Sequence, residues 1–151
     1  MIRVFVAGAN GQLGVEVVKA VGAAADMQLV GTTVSRADDL AAVLAAAKPD
    51  VMVDFTRPDA VMANARTALA AGVRPVVGTT GLTPADLAEL ETLATEQGLC
   101  CLIAPNFAIG ALLMIRFAAE AAKFFGHAEV IELHHDRKHD APSGTAVKTL
   151  E

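Results

Sequence analysis

The sequence of 151 residues has no excess of positive charge: 12 Lys and Arg stand against 17 Asp and Glu, for a net charge of -5. Because affinity for duplex nucleic acid comes mainly from neutralising phosphates, this balance argues against a duplex-binding surface. The sequence also lacks Gly-X-Y and heptad periodicity, and its apolar fraction of 54% is too high for a disordered chain. Collagen, coiled coil and disorder are therefore excluded, and the length fits about one globular domain.

Long hydrophobic runs are missing and cysteine is scarce. No segment approaches the roughly 18 apolar residues of a membrane span, and the apolar start breaks at Gly8, too early for a secretory leader. The only two cysteines, Cys100 and Cys101, are adjacent, and vicinal cysteines rarely meet disulfide geometry. We therefore expect two buried, reduced thiols in a cytoplasmic protein.

Short apolar runs alternate with longer Ala- and Leu-rich segments of helical period, which is typical of parallel βαβ units. Glycines at positions 72 and 98 suit helix C-caps, and Thr83 before Pro84 suits a helix start. The pattern predicts an α/β fold with helices on both faces of a parallel sheet. The predicted strands are Ile2–Ala7, Gln28–Thr33, Val51–Asp54, Pro75–Gly78 and Leu99–Ile103, and the predicted helices are Gln12–Ala23, Ala37–Ala46, Asp59–Ala71 and Pro84–Glu96.

The pattern changes after Ile103. A helix is predicted over Phe107–Phe125, followed by a strand with one wet face over His127–His135. Pro142–Thr145 has the composition of a helix start, and the sequence stops at Glu151 barely two turns later. We expect one domain over residues 1–105 and the incomplete beginning of a second over residues 106–151.

A glycine-rich loop joins the first predicted strand to the first predicted helix. Gly8 suits a tight turn, Gly11 a close approach of the backbone to a ligand, and Gly14 a close contact between helix and strand. Backbone N–H groups and the helix dipole would then face a pyrophosphate. The alternative is that these glycines serve only a turn. The predicted dinucleotide-binding residues of this loop are Gly8, Asn10, Gly11, Gln12, Leu13 and Gly14.

The choice between NADPH and NADH stays open. A NAD site usually carries Asp or Glu about 20 residues beyond the glycine loop, where this sequence has Val34. The missing acid and the nearby Arg36 favour tolerance of a 2′-phosphate. Alternatively, Arg36 is a solvated loop residue.

All four histidines fall within residues 127–139. An imidazole can donate a proton near neutral pH, Lys138 can meet a carboxylate, and free N–H groups at Gly144–Thr145 can cradle one. These features predict an acid and anion site. A solvated polar turn and a metal site are the alternatives. No metal is expected, because the adjacent His134 and His135 would point to opposite faces of a strand.

Four motifs, in this order, resemble those of the dihydrodipicolinate reductase family: Asp54–Thr56, Gly78–Gly81, Ala104–Gly110 and Glu132–Ala146. The resemblance implies a Rossmann-type doubly wound sheet, followed by an α+β domain that binds substrate and joins a homotetramer. It also implies reduction of 4-hydroxy-tetrahydrodipicolinate, a small dicarboxylate, in diaminopimelate and lysine biosynthesis, with hydride from NADPH or NADH.

The resemblance further implies roles for single residues. His134 would donate the proton, with Lys138 as its catalytic partner. Substrate would be held by His135, Ser143, Gly144 and Thr145. The cofactor would also be positioned by Phe55, Gly78, Thr79, Thr80, Ala104, Asn106 and Phe107.

Three departures from the family pattern bear on activity. Gln12 stands where the family usually has a basic residue, the segment after the second strand is shorter than usual, and family chains continue well past this length. A nucleotide-binding module without catalysis, or an inactive fragment of such a reductase, is therefore the alternative function. For Asp54, the alternative to a role at the site is that it caps the next helix.

Overall fold

The computed structural model describes residues 1–33, 39–104, 106–134 and 141–150. The chain divides into two compact units, Met1–Ala104 and Pro105–Glu151, called unit 1 and unit 2 below. Among the described residues, no helix is both long and apolar enough to cross a membrane.

Unit 1 alternates strands and helices around one parallel sheet of order β2-β1-β3-β4-β5. This arrangement confirms the predicted Rossmann-type α/β fold. The strands are β1 (Ile2–Ala7), β2 (Met27–Thr33), β3 (Val51–Asp54), β4 (Arg74–Val77) and β5 (Leu102–Ile103), and the helices are α1 (Gln12–Ala23), α2 (Leu40–Ala47), α3 (Pro58–Ala70) and α4 (Pro84–Glu96).

The residues of β1 alternate between two faces of the sheet. Val4 and Val6 pack against α1, whereas Phe5 and Ala7 pack against α2 and α3. This alternation follows from the two-residue period of a strand. The strand order reverses between β1 and β3, and such a switch point is where α/β sheets bind ligands beyond their carboxyl ends.

Local signals fixed several helix ends. Gly72 and Gly98 take left-handed conformations, with φ of 77° and 63°, immediately beyond the C-cap residues Ala71 of α3 and Gln97 of α4. Thr83 and Asp86 form a reciprocal capping box at the start of α4, with Pro84 in the first turn. These three predictions are confirmed.

The start of α2 differs from the prediction. The helix begins at Leu40 because the Asp39 side chain caps it, accepting a hydrogen bond from the Ala42 N–H at 3.1 Å. The predicted first residues, 37 and 38, lie outside the described residues. Helix α3 and strand β4 each lie one residue earlier than predicted.

Strand β5 is shorter than predicted. Only Leu102 and Ile103 pair with β4, whereas the Leu99 N–H donates to the Ala94 carbonyl at 2.8 Å and so closes the end of α4. The prediction of a strand from Leu99 is therefore wrong, because this backbone group serves the helix end.

The cysteines lie just before this short edge strand. Both thiols are free, Cys100 is exposed and Cys101 is half-buried. Burial, with a smaller contribution from Cys100, raises the pKa of the Cys101 thiol. The expectation of two buried thiols is wrong for Cys100, because the two-residue β5 leaves it uncovered.

Unit 2 contains α5 (Ile109–Ala122) and α6 (Gly144–Leu150). The predicted helix start near residue 144 is confirmed, but α5 is shorter than the predicted 107–125. Before α5, the Asn106 Oδ1 accepts a hydrogen bond from the Ala108 N–H at 2.8 Å and holds a non-helical turn. The predicted strand over 127–135 is wrong for residues 127–134, which form no strand. A strand needs a hydrogen-bonded neighbour, and the described part of unit 2 supplies none.

A bidentate ion pair joins α3 to α4. The Arg66 Nε and Nη2 atoms lie 2.6 and 2.7 Å from the two Glu89 carboxylate oxygens. Chiefly through this hydrogen bond, the pKa of Glu89 is lowered from its ordinary value of 4.5. A carboxyl whose folded pKa is lowered stabilises the fold above its ordinary pKa and loses that effect as pH falls through the folded pKa. Both side chains are exposed, so the effect is small.

We therefore expect Glu89→Gln to lower the melting temperature slightly at pH 7, with a difference that closes as pH falls below 4.5 and narrows in high salt. Thermal unfolding followed by circular dichroism measures it. Glu91→Gln, at an exposed position of the same helix, is the matched control. If Glu89→Gln lowers the melting temperature equally at pH 7 and pH 3, the ion pair does not contribute to the difference.

Candidate functional site

Three loops of unit 1 follow β1, β3 and β4, which are neighbours in the sheet. Because the strands are parallel, these loops meet at one edge. The edge therefore gathers the predicted cofactor residues of the glycine loop together with Phe55 and Gly78–Thr80. Ala104 follows β5 at the same edge, where its N–H donates to the Val77 carbonyl at 2.9 Å.

The glycine loop is held tightly where it leaves β1. Gly8 has φ of +82°, and a Cβ there would lie 2.5 Å from the Phe55 carbonyl oxygen. A Cβ on Gly14 would overlap the Gly8 carbonyl group. The Gly8 and Ala9 N–H groups both donate to the Thr33 carbonyl of β2, at 3.0 and 3.1 Å. The first and last glycines thus permit close backbone contact, and the Gly8 amide is already used within the fold.

The exposed tip of the loop, Asn10–Leu13, leads directly into α1. The Gly11 N–H donates to the Gly8 carbonyl at 3.0 Å and closes the turn. Gly11 is the N-cap of α1 and offers no capping side chain. The Gln12 and Leu13 N–H groups have no partner among the described residues, so this end of α1 fits an anion such as a pyrophosphate.

Phe55 lies between the glycine loop and the loop after β4. Its carbonyl oxygen packs on Gly8, and its ring packs so closely on Gly78 that a Cβ at Gly78 would overlap ring atoms. Phe55 is half-buried, so part of it remains exposed to solvent. The structure thereby brings together three of the predicted cofactor residues.

Asp54, at the end of β3, is fully buried. Its Oδ1 accepts hydrogen bonds from the Thr56 N–H and the Thr56 and Thr79 hydroxyls at 2.9, 2.7 and 2.7 Å, and its Oδ2 accepts one from the Asn64 side-chain amide at 2.8 Å. Asp54 does not cap α3, since the N-cap of that helix is Arg57. The hydroxyl of Thr79 points inward to Asp54, whereas Thr80 is half-buried.

In unit 2, Ser143 is bound to Glu132. The Ser143 N–H and hydroxyl lie 3.0 and 2.8 Å from the Glu132 Oε2, and the same hydroxyl accepts a hydrogen bond from the Ala146 N–H at 3.1 Å. A carboxylate of the chain itself therefore binds the serine that the family resemblance assigns to a substrate carboxylate. Thr145 accepts a hydrogen bond from the Asn106 side chain at 2.9 Å.

His134 lies on the other side of the same carboxylate. Its Nδ1 is 3.6 Å from the Glu132 Oε1. Glu132 thus links His134 to Ser143, a role that sequence reasoning missed. The available signal was proximity in sequence, because Glu132 lies two positions before His134 within the last of the four motifs.

Several predicted residues fall outside this geometry. Arg36, His135 and Lys138 lie outside the described residues. Asn106 and Phe107 belong to unit 2, and Phe107 is about half exposed. No group of three or more His, Cys, Asp or Glu side chains in the described ranges is arranged to hold a metal ion.

Two family models match the chain in succession. "Dihydrodipicolinate reductase, N-terminus" matches residues 2–107 and "Dihydrodipicolinate reductase, C-terminus" matches residues 110–151. The chain belongs to the dihydrodipicolinate reductase family. The 4-hydroxy-tetrahydrodipicolinate reductases of Desulfitobacterium hafniense and Syntrophomonas wolfei are 52% and 49% identical to it, each across 99% of this chain.

Solved structures agree with this family membership. Dipicolinate-bound dihydrodipicolinate reductase from Paenisporosarcina sp. TG-14 aligns with a TM-score of 0.83 and 40% identity, over 99% of this chain. Biliverdin reductase from Synechocystis aligns over 81% of the chain with a TM-score of 0.63 at 20% identity, and it shares the fold alone.

The chain spans 64% and 63% of the length of the Desulfitobacterium hafniense and Syntrophomonas wolfei relatives. The alignment with the Desulfitobacterium hafniense relative is 170 positions long against a chain of 151 residues, so at least 19 positions have no counterpart here.

Proposed function

We propose that this chain comprises the NAD(P)H-binding unit and the beginning of the substrate-binding unit of a reductase. The reaction is reduction of 4-hydroxy-tetrahydrodipicolinate to tetrahydrodipicolinate, in diaminopimelate and lysine biosynthesis. The observation that carries the proposal is the ordered match of both family models across residues 2–107 and 110–151. The uncapped amide groups at the start of α1, located at the switch point of the sheet, support it independently.

When bound, NADPH or NADH supplies the hydride. The loop from Gly8 to Gly14 would bind its pyrophosphate through the first amides of α1. Phe55 and Gly78 would form a wall for the nicotinamide half, because the aromatic ring and the glycine backbone already pack together there. Thr80 and Ala104 extend the proposed cofactor site within unit 1, and Thr79 lies in the same loop with its hydroxyl bound to Asp54. The family resemblance also assigns cofactor contacts to Asn106 and Phe107, and Arg36 would tolerate a 2′-phosphate.

The substrate is a small dicarboxylate. We assign one of its carboxylates to Ser143, Gly144 and Thr145, beside His135. The Ser143 N–H and hydroxyl already bind a carboxylate, that of Glu132, which supports the chemical part of this assignment. Binding of substrate there requires Glu132 to give up at least one of these hydrogen bonds.

The proton donor is assigned to His134, with Lys138 as its partner. Imidazole is suited to general acid catalysis near neutral pH. A nearby carboxylate can orient a proton-donating imidazole. The Glu132 Oε1 lies 3.6 Å from the His134 Nδ1 and is placed to do so. A homotetramer formed through the second domain and a cytoplasmic location also belong to this proposal.

Calorimetric titration of the chain with NADPH, NADH and pyridine-2,6-dicarboxylate tests the proposal. We expect one nicotinamide nucleotide to bind with a dissociation constant between about 1 μM and 1 mM, and the dicarboxylate to bind once the nucleotide is present. Nucleotide binding without dicarboxylate binding would support the non-catalytic module. Absence of any nucleotide binding would contradict the proposal.

A further inference from the structure

The carboxylate of Asp54 has no ion-pair partner among the described residues, although it is completely buried. A buried carboxylate is costly unless hydrogen bonds replace its hydration. Asp54 receives four such bonds, one from a backbone N–H, two from hydroxyls and one from a side-chain amide. An acceptor-only group fits this set of donors.

The four hydrogen bonds come from three different parts of unit 1. Thr56 lies in the loop after β3, Asn64 lies on α3, and Thr79 lies in the loop after β4. Asn64 also donates to the Thr56 hydroxyl at 3.2 Å. One side chain therefore fixes two loops at the carboxyl edge of the sheet to each other and to a helix.

These loops flank the contact between Phe55 and Gly78. Phe55 lies between Asp54 and Thr56 in the chain, and Gly78 immediately precedes Thr79. A backbone hydrogen bond also joins the two loops, since the Gly78 N–H donates to the Asp54 carbonyl at 2.9 Å. The position of the Phe55 ring on Gly78 thus depends on both anchors of the Asp54 side chain.

We propose that Asp54 is a positioning residue for the nicotinamide half of the cofactor site. It holds Phe55 and Gly78 in place without touching the cofactor, and this inference rests on the proposed function. The glycine loop, which would bind the pyrophosphate, has its own attachment to β2 through Thr33. Loss of the Asp54 contacts should therefore weaken binding of the nicotinamide half of the dinucleotide and leave binding of the ADP-ribose half unchanged.

Asp54→Asn tests this separation. The carboxamide has one acceptor oxygen and one donor NH2 group, so it cannot accept from both Asn64 and the three donors at Oδ1. We expect the dissociation constant for the nicotinamide nucleotide to rise about tenfold, as for the loss of a hydrogen-bonded contact. The constant for ADP-ribose, or for its 2′-phosphate where NADPH is the tighter ligand, should stay unchanged because these ligands lack nicotinamide.

Asp50→Asn is the matched control. Asp50 lies before the amino end of β3, where its carboxylate accepts a hydrogen bond from the Arg3 N–H at 2.7 Å. Because Asp50 lies at the opposite end of β3 from the proposed site, this change should leave the dissociation constants for the nicotinamide nucleotide and for ADP-ribose unchanged. A second pair of variants covers the case in which Asp54→Asn does not fold. Thr79→Val, which loses the hydroxyl donor, should weaken nicotinamide nucleotide binding, and Thr79→Ser, which keeps it, should restore binding.

The outcomes separate this inference from the proposed function. Wild-type protein that binds no nicotinamide nucleotide overturns both. Wild-type protein that binds it, with Asp54→Asn or Thr79→Val binding equally well, overturns the positioning role alone. Equal weakening of the nucleotide and of ADP-ribose also overturns it, because a general loss of structure would act on both.

Discussion

Gly14→Ala should remove nicotinamide nucleotide binding and lower the stability of unit 1. A Cβ at position 14 would overlap the Gly8 carbonyl group, and a backbone atom cannot swing aside as a flexible side chain can. Helix α1 must then move away from β1, which carries the first amides of the helix away from the proposed pyrophosphate site. Overpacking of this kind costs about 3 kcal/mol, equivalent to a fall in melting temperature of about 6–12 °C.

Gly22→Ala is the control within the same helix. A Cβ at Gly22 meets nothing within 4 Å, and alanine is favoured over glycine in a helix by up to about 1 kcal/mol. The two substitutions are chemically identical and should shift the melting temperature in opposite directions. Thermal unfolding and calorimetric titration with NADPH and NADH measure both effects. A Gly14→Ala protein that matches wild type in stability and nucleotide affinity would refute the close-contact explanation.

The parts of unit 1 that could be predicted depend on neighbours in sequence. The turn at Gly8, the close contact at Gly14, the helix start at Thr83 and the apolar period of α1 are local signals, and the structure follows them. The boundaries that shifted were decided by competing hydrogen bonds. Asp39 accepts the Ala42 N–H, and the Leu99 N–H bonds to Ala94 instead of to the sheet.

The contacts that escaped prediction join residues far apart in sequence. Asp54 and Thr79 are separated by 25 positions, and nothing in the local pattern of either residue specifies the other. Their meeting follows from the sheet order, which places the ends of β3 and β4 side by side. The Glu132 contact with Ser143 spans 11 positions and was hidden for the same reason.

The failed strand over residues 127–134 illustrates a different difficulty. Its alternation of apolar and polar residues is genuine, but alternation describes only which side chains share a face. Whether the backbone forms a strand depends on a neighbour that supplies hydrogen bonds. Several apolar side chains of this segment are exposed, among them Ile131 and Leu133 at 80% and 89%, so the described unit 2 leaves that face uncovered.

His134→Gln should lower kcat for reduction of 4-hydroxy-tetrahydrodipicolinate by about 10²- to 10⁴-fold, the range supplied by a positioned general acid. Glutamine preserves hydrogen-bonding capacity but has no proton to donate near neutral pH. The affinity for NADPH or NADH should be unchanged, since the proposed pyrophosphate site lies in the glycine loop. In the variant, the pH profile of kcat should lose the limb that reflects deprotonation of the general acid.

Steady-state oxidation of NADPH or NADH, followed by absorbance with varied substrate, separates kcat from KM. His127→Gln is the matched control, an exposed histidine seven positions earlier in the same segment that has no proposed role. A fall in kcat shared by both variants would indicate a general effect on unit 2. Turnover within twofold of wild type in His134→Gln, with its pH limb intact, would show that the proton comes from another group.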